Sequence, residues 1–246
     1  MEEEEDLTIN IPKTTARNIK AIVAISIYFI AFILYSYFFR IDKNVDIAFL
    51  IKPIIIPSIA FAYFFLTKNT FYFMNLYLFL IIYFADNLIL LEDRSLYVFS
   101  TYLYLITIAV LFHYVVVDSK IFEKKPALQK AYPYFLFMLL ASVFVVKIYY
   151  YIIDKPFKEA YLIGLYVFLF LSLFLLTIFN AIKHKSKASV FLLATLFSLF
   201  VSDVLIAING YYFKKDYLIY IACLFEIPVY YFLLQYFLQR EEAVKQ

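Results

Sequence analysis

Apolar runs of about 20 residues, cut apart by short charge clusters, recur along all 246 residues of this chain. A helix rising 1.5 Å per residue needs about 20 such residues to cross a hydrocarbon layer of roughly 30 Å. The clusters delimit eight spans, near Ala21–Phe39, Asp46–Leu66, Phe71–Leu91, Ser95–Val117, Ala131–Ile153, Ala160–Ile182, Ala188–Ile208 and Tyr217–Leu238. Hydrophobic residues make up 65% of the chain and charged ones 17%, against roughly 45–50% and about 25% in soluble domains. No aqueous fold hides that surplus. A soluble enzyme, a disordered chain and a nucleic-acid-binding protein are excluded. So is a β-barrel, whose strands alternate polar and apolar residues. The expected fold class is all-α: a polytopic membrane protein whose single helical-bundle domain fills 1–246, with 1–19 and 239–246 as tails.

The formal charge of +3 is too small to imply an anionic partner. The sole cysteine, Cys223, excludes an intrachain disulfide. The acidic start, Glu2 to Asp6, is opposite to the first segment of a secretory signal, so the first span reads as an uncleaved anchor. Lysines and arginines set the orientation. Thirteen lie on the side of the two termini and seven in the opposite loops, which places both termini in the cytoplasm. A bacterial inner membrane is the expected location. The longest loop, 118–130, is too short for a soluble domain, so any chemistry belongs in the bundle or at the membrane surface. Only Gly164 and Gly210 are present, which rules out close GxxxG dimers. The 30 Phe and 25 Tyr must fill wider gaps, some Tyr forming an interfacial belt.

Ionisable groups at membrane depth cost about 2.5–3.5 kcal/mol each on insertion scales, so the few present carry information. They are Lys52, Asp86, His113, Lys147, Asp203 and Glu226. In the assigned topology all except His113 fall in the outer half of the bilayer. Lys52 and Lys147 can snorkel toward the interface, whereas Asp86 and Asp203 are too short to do so. A lysine beside Asp86 or Asp203 around a polar pocket offsets part of the burial cost. The inner half offers only His113 and Asn180 as strongly polar candidates. Pro53 and Pro57 follow Lys52, and Pro228 follows Glu226. Each removes a backbone donor and bends its helix, leaving carbonyls in need of partners.

Four segments resemble one known family. Phe197-Ser-Leu-Phe-Val-Ser-Asp-Val-Leu-Ile-Ala-Ile-Asn209 is similar to the phenylalanine, serine–aspartate and leucine–alanine–asparagine signature of the lysoplasmalogenase-like (YhhN-like) membrane proteins. Lys52-Pro53 resembles that family's early lysine–proline motif. Ala85-Asp86 resembles its glycine–aspartate motif, with alanine in place of glycine, and Tyr231 to Gln235 matches a tyrosine-to-glutamine spacing near its end. The motifs fall in the family's order, and eight helices match its fold. His113 departs from the pattern, with Val116 where the family has tyrosine.

The resemblance implies hydrolysis of the vinyl ether bond of lysoplasmalogens, releasing a fatty aldehyde and a glycerophospho-alcohol. Protonation of the vinyl β-carbon makes an oxocarbenium ion, the same charge problem that glycosidases solve with one protonated and one ionised carboxyl. Asp86 and Asp203 are the expected catalytic pair, with the acid and base roles left open. Lys52, Asn87, Ser202, Asn209 and Glu226 are the expected contacts to substrate or water. No metal or other cofactor is expected, since one cysteine and two scattered histidines make a poor zinc site. The expected partner is a lysophospholipid or other amphiphilic lipid, with no nucleic acid and with oligomeric state open. Two other classes remain: a small-solute or proton-coupled transporter using the buried charges as an ion path, and a non-catalytic lipid-binding protein of the same fold.

Overall fold

The computed structural model of the chain describes residues 13–67, 72–91, 93–122, 140, 143, 147 and 160–245. In order, they form α1 (Lys13–Ser36), α2 (Val45–Leu66), α3 (Phe73–Ile89), α4 (Arg94–Phe122), α5 (Ala160–His184), α6 (Lys187–Ile208), α7 (Asp216–Glu226) and α8 (Val229–Lys245). No strand occurs among the described residues. Six segments are long and apolar enough to cross a membrane: Arg17–Ile41, Val45–Leu66, Arg94–Ser119, Gly164–Ile182, Lys187–Ile208 and Asp216–Ala243. The last of these joins α7 and α8. The 17-residue α3 is apolar but shorter. The span expected near 131–153 lies outside the described residues, apart from Leu140, Val143 and Lys147, which are helical and exposed.

Local chemistry sets the helix ends. Asn44 caps α2, its side chain accepting the Ile47 N–H at 3.2 Å. Asp93 does the same for α4, accepting from Ser95 and Leu96 at 2.8 and 3.0 Å. Such caps satisfy donors that the first helical turn leaves open. Two helices close in a π-turn, α1 over Tyr37–Ile41 and α6 over Asn209–Phe213. Lys43, Lys185 and Lys214 then take left-handed backbone conformations at the corners between helices. Glycine normally fills such corners.

α1 packs chiefly on α2, α3 on α4, and α6 on both α7 and α8, while α5 bridges α4 and α6. The core is aromatic. Tyr28, Tyr63, Phe79, Tyr236 and Phe237 are almost wholly enclosed, and Phe79 meets Phe237 edge to face at 5.4 Å. Outward faces are apolar as well, with Ile22, Ile30, Phe61, Phe73, Ile182 and Leu224 exposed. A helix apolar all round suits a lipid surround rather than water.

Two boundaries differ from those drawn at charged residues. α4 continues through Asp118 to Phe122, and α8 runs to Lys245, so 239–245 is helix rather than a tail. The reason is pairing. Asp118 on α4 and Arg240 on α8 meet at 2.9 Å, so neither charge needs a loop to reach water.

Candidate functional site

Antiparallel helices bring the end of α1, the start of α2, the end of α3, the start of α4, the end of α6 and all of α7 to one end of the bundle. Most of the singled-out ionisable groups gather there. Asp86 is nearly buried, at 9% exposure. Tyr104 of α4 donates its hydroxyl to Asp86 Oδ1, and Tyr230 of α8 donates to Oδ2 at 2.6 Å. Both carboxylate oxygens are therefore held by phenols. Beneath them, Ser100 donates to the Ala85 carbonyl at 2.8 Å, fastening α4 against α3. Ala85 itself has no exposed surface, so only a small residue fits before Asp86.

Asp203 comes from the facing side. It sits deep among neighbouring atoms, yet more than a third of its surface is open, on a helix face that it shares with the exposed Phe200 and Val204. No hydrogen bond or ion pair reaches its carboxyl among the described residues. Tyr104 and Tyr166 are each within electrostatic reach of both Asp86 and Asp203. Glu226 and Arg40 are the charged groups nearest to Asp203 in effect. Tyr104, Tyr166, Tyr230, Lys52, Arg40 and Glu226 each keep part of their surface open.

Lys52 lies above the Tyr35 ring, its Nζ 5.1 Å from the centroid, in the geometry of a cation–π contact. Asp86, then Glu226, are the carboxylates that act on it most strongly, with no direct ion pair among the described residues. The expected lysine–aspartate pairing is thus replaced: tyrosines, not Lys52, hold Asp86. Glu226 pairs with Arg40 at 3.4 Å, each side chain being about three-quarters buried (24% and 21% exposed). Just beyond Glu226 the helix breaks at Ile227-Pro228, and Tyr28 of α1 donates its hydroxyl to the exposed Ile227 carbonyl. The proline leaves backbone groups in need of partners, and a tyrosine from another helix supplies one.

The remaining sequence candidates lie elsewhere. The Asn87 amide donates to its own helix, at the Tyr83 carbonyl (2.7 Å). Asn209 accepts the Lys215 N–H at 2.6 Å and holds the corner after α6. Ser202 is enclosed, at 1% exposure, with its hydroxyl unpaired. His113 and Lys147 are exposed. Among the described residues no three His, Cys, Asp or Glu side chains are placed to hold a metal ion.

Sequence reasoning missed Arg40, Tyr104, Tyr166 and Tyr230. Arg40 reads as a loop cation because a π-turn cannot be seen in composition. Depth does mark the tyrosines: Tyr104 lies ten residues past Arg94 and is too deep for an interfacial belt.

The opposite end of the bundle holds a second polar network. Tyr63 and Asn75 both donate to Glu241 Oε1, Asn75 from 2.9 Å, and Tyr114 donates to Asn75 Oδ1 at 3.1 Å. Arg240 donates to both Asp118 oxygens, at 2.9 and 3.1 Å, and stacks over the Tyr114 ring at 4.0 Å; Tyr236 adds a bond of 3.3 Å. Glu241 and Asn75 are 3% and 0% exposed. The expectation that this half offers only His113 and Asn180 is therefore corrected: three charged groups lie in stretches that hydropathy alone assigns to loop and tail.

No family model, no curated protein and no solved structure matches this chain.

Proposed function

We propose that the chain is an eight-span membrane protein with both termini in the cytoplasm, and that the hollow around Asp86 and Asp203 hydrolyses the vinyl ether bond of lysoplasmalogen-type lipids. This is the activity that the lysoplasmalogenase-like resemblance implies. The observation that carries it is the contrast between the two aspartates. Asp86 is fixed as an acceptor by two phenols, whereas the open carboxyl of Asp203 is the group left to deliver a proton.

Asp203 protonates the β-carbon, and the α-carbon becomes an oxocarbenium ion sharing its charge with the ether oxygen. The carboxylate of Asp86 stabilises that cation and takes a proton from the attacking water, so a C–O bond forms and a hemiacetal results. Asp203, now a carboxylate, removes the hemiacetal hydroxyl proton as protonated Asp86 delivers one to the departing glycerol oxygen. The C–O bond to glycerol breaks, aldehyde leaves, and both groups return to their starting states. Lys52 offsets the negative charge of the pair. Asn87 and Asn209 bond to backbone and Ser202 is enclosed, so these three support the helices rather than touch the substrate.

The test is aldehyde release by purified protein supplied with a lysoplasmalogen, in wild type, Asp86→Asn and Asp203→Asn. Loss of at least 100-fold in each properly folded variant is expected. Full activity in both would end the assignment.

A second reading, a small-solute or proton-coupled transporter, draws on one observation: the buried Asp118, Arg240 and Glu241 at the other end of the bundle. Solute or proton flux in proteoliposomes, with the same two variants, separates it from the first.

A further inference from the structure

We infer that Arg40 is the receptor for a phosphate ester on the amphiphile that enters the hollow, with Glu226 keeping the guanidinium aimed until the ligand arrives. The inference rests on reading the hollow as a lysolipid site.

At the end of α1 the ladder widens, with Asp42 N–H bonded to the Tyr37 carbonyl at 2.9 Å and Asn44 N–H to that of Phe38 at 2.8 Å. A π-turn inserts one extra residue and rotates the downstream residues by about 100° relative to an α-helix. Arg40, four residues before the Asn44 cap of α2, is carried inward instead of out to the surface.

Its guanidinium is poorly used there. One contact of 3.4 Å to Glu226 Oε2 is long for a charge-assisted bond, which normally spans about 2.7–2.9 Å. The Nε–H is enclosed and has no acceptor among the described residues. A buried donor without a partner is an unfavourable state that an added acceptor relieves. The nearby ring of Phe39, 5.5 Å from Cζ, supplies no acceptor in the plane of the fork.

A second cation points the same way. Lys52, within electrostatic reach of both Arg40 and Glu226, has no ion-pair partner among the described residues and rests on Tyr35 alone. Asp86 already accepts one phenol on each oxygen, from Tyr104 and Tyr230. Lys52 feels Asp86 and Glu226 without an ion pair to either among the described residues, and Arg40 has only its long contact to Glu226. A planar fork with free N–H groups beside an ammonium suits a tetrahedral anion, because Arg binds phosphate oxygens in pairs and Lys adds a point charge.

The same chemistry can be met by a lipid headgroup or by free phosphate, and the experiment distinguishes them. The probe is a radiolabelled 1-alkyl lysophospholipid, whose saturated ether is not cleaved, compared with the matching 1-alkylglycerol in equilibrium binding to protein in nanodiscs. Wild type is expected to bind the phosphate-bearing lipid at least tenfold more tightly. Arg40→Gln should bring the two affinities within threefold by weakening the phospholipid alone, and Arg40→Lys should recover part of the preference.

A preference that survives in Arg40→Gln, or equal weakening of both probes, overturns the proposal. If Arg40→Gln does not fold, the same reading is taken from Arg40→Lys, where an unchanged preference overturns it. Inorganic phosphate that displaces the phospholipid fully at millimolar concentration would assign the site to a free anion and overturn the lipid assignment; weak displacement supports it. Because the probe is not hydrolysed, Arg40-dependent binding without any aldehyde release from a true lysoplasmalogen would sink the hydrolase and leave this inference standing.

Discussion

Asp118→Asn tests whether the network away from the hollow locks the bundle. The substitution keeps the shape of the side chain and removes its charge, leaving Arg240 enclosed without a counter-ion. Removing one member of a fully buried pair costs about 3–5 kcal/mol. Here each side chain retains 12% exposure, and a small shift lets Arg240 reach water, so about 2–3 kcal/mol is expected. Arg240→Gln should cost more, because it also removes the cation from above Tyr114, 4.0 Å away, a contact worth about 1 kcal/mol. The double variant isolates the pair: its loss should fall short of the summed single losses by about 2 kcal/mol. Reversible unfolding in mixed micelles, followed by circular dichroism, measures all four corners of the cycle. Added salt should change little, since screening acts weakly on an enclosed pair. A cost below about 0.5 kcal/mol for Asp118→Asn, or strict additivity, would show that the two charges do not hold α4 to α8 and would refute the reasoning.

The phenols around Asp86 and the corner at Lys214 can be tested in the same way. Tyr104→Phe and Tyr230→Phe each remove one hydroxyl from Asp86, and a bond to a charged acceptor is worth about 1.5–3 kcal/mol. Each should therefore slow aldehyde release roughly 10- to 150-fold with little change in fold, while a rate within threefold of wild type in both would remove the phenols from the mechanism. Lys214→Gly places the permissive residue at a left-handed corner with φ 47°, and should stabilise by about 0.5–1 kcal/mol in a thermal melt; a lower melting temperature would contradict the strain reading.

Six spans are legible in the sequence because those apolar runs match one membrane thickness. Helices occupy runs such as Asp46–Leu66 and Ala188–Ile208. Reading charge as a helix boundary fails at Asp118, Arg240 and Glu241. A charged residue ends a span only if it needs water, and these satisfy one another across helices. The acidic half of the candidate site is legible as well, since Asp86 has no cheap reason to lie in an apolar run. Its partners are not. Tyrosine is common here, and nothing in composition separates Tyr104, which binds Asp86, from Tyr102, whose side chain is exposed. Helical phase separates them: Tyr104 and Ser100 are four residues apart on one face, and Ser100 is bonded to α3. Arg40 is hidden for another reason, because a π-turn re-aims side chains without leaving a compositional mark.

The asymmetry between the two ends bears on the choice between an enzyme and a conduit. A conduit must open both ends in turn, which here means parting Glu241 from Tyr63 and Asn75 and Asp118 from Arg240 within one movement. The layer between network and hollow is closed too, with Tyr63, Phe79, Phe237 and Leu234 at 1% exposure or less. Labelling of single cysteines in a Cys223→Ser background reads this directly. Asp203→Cys, in the open wall, should react with a membrane-impermeant thiosulfonate added from one side only. Thr195→Cys, two turns deeper on the same helix and 2% exposed, should stay unlabelled from either side, with or without an amphiphile present. Labelling of Thr195→Cys from the second side would mean that the network opens in use, and the transporter reading would then displace the hydrolase.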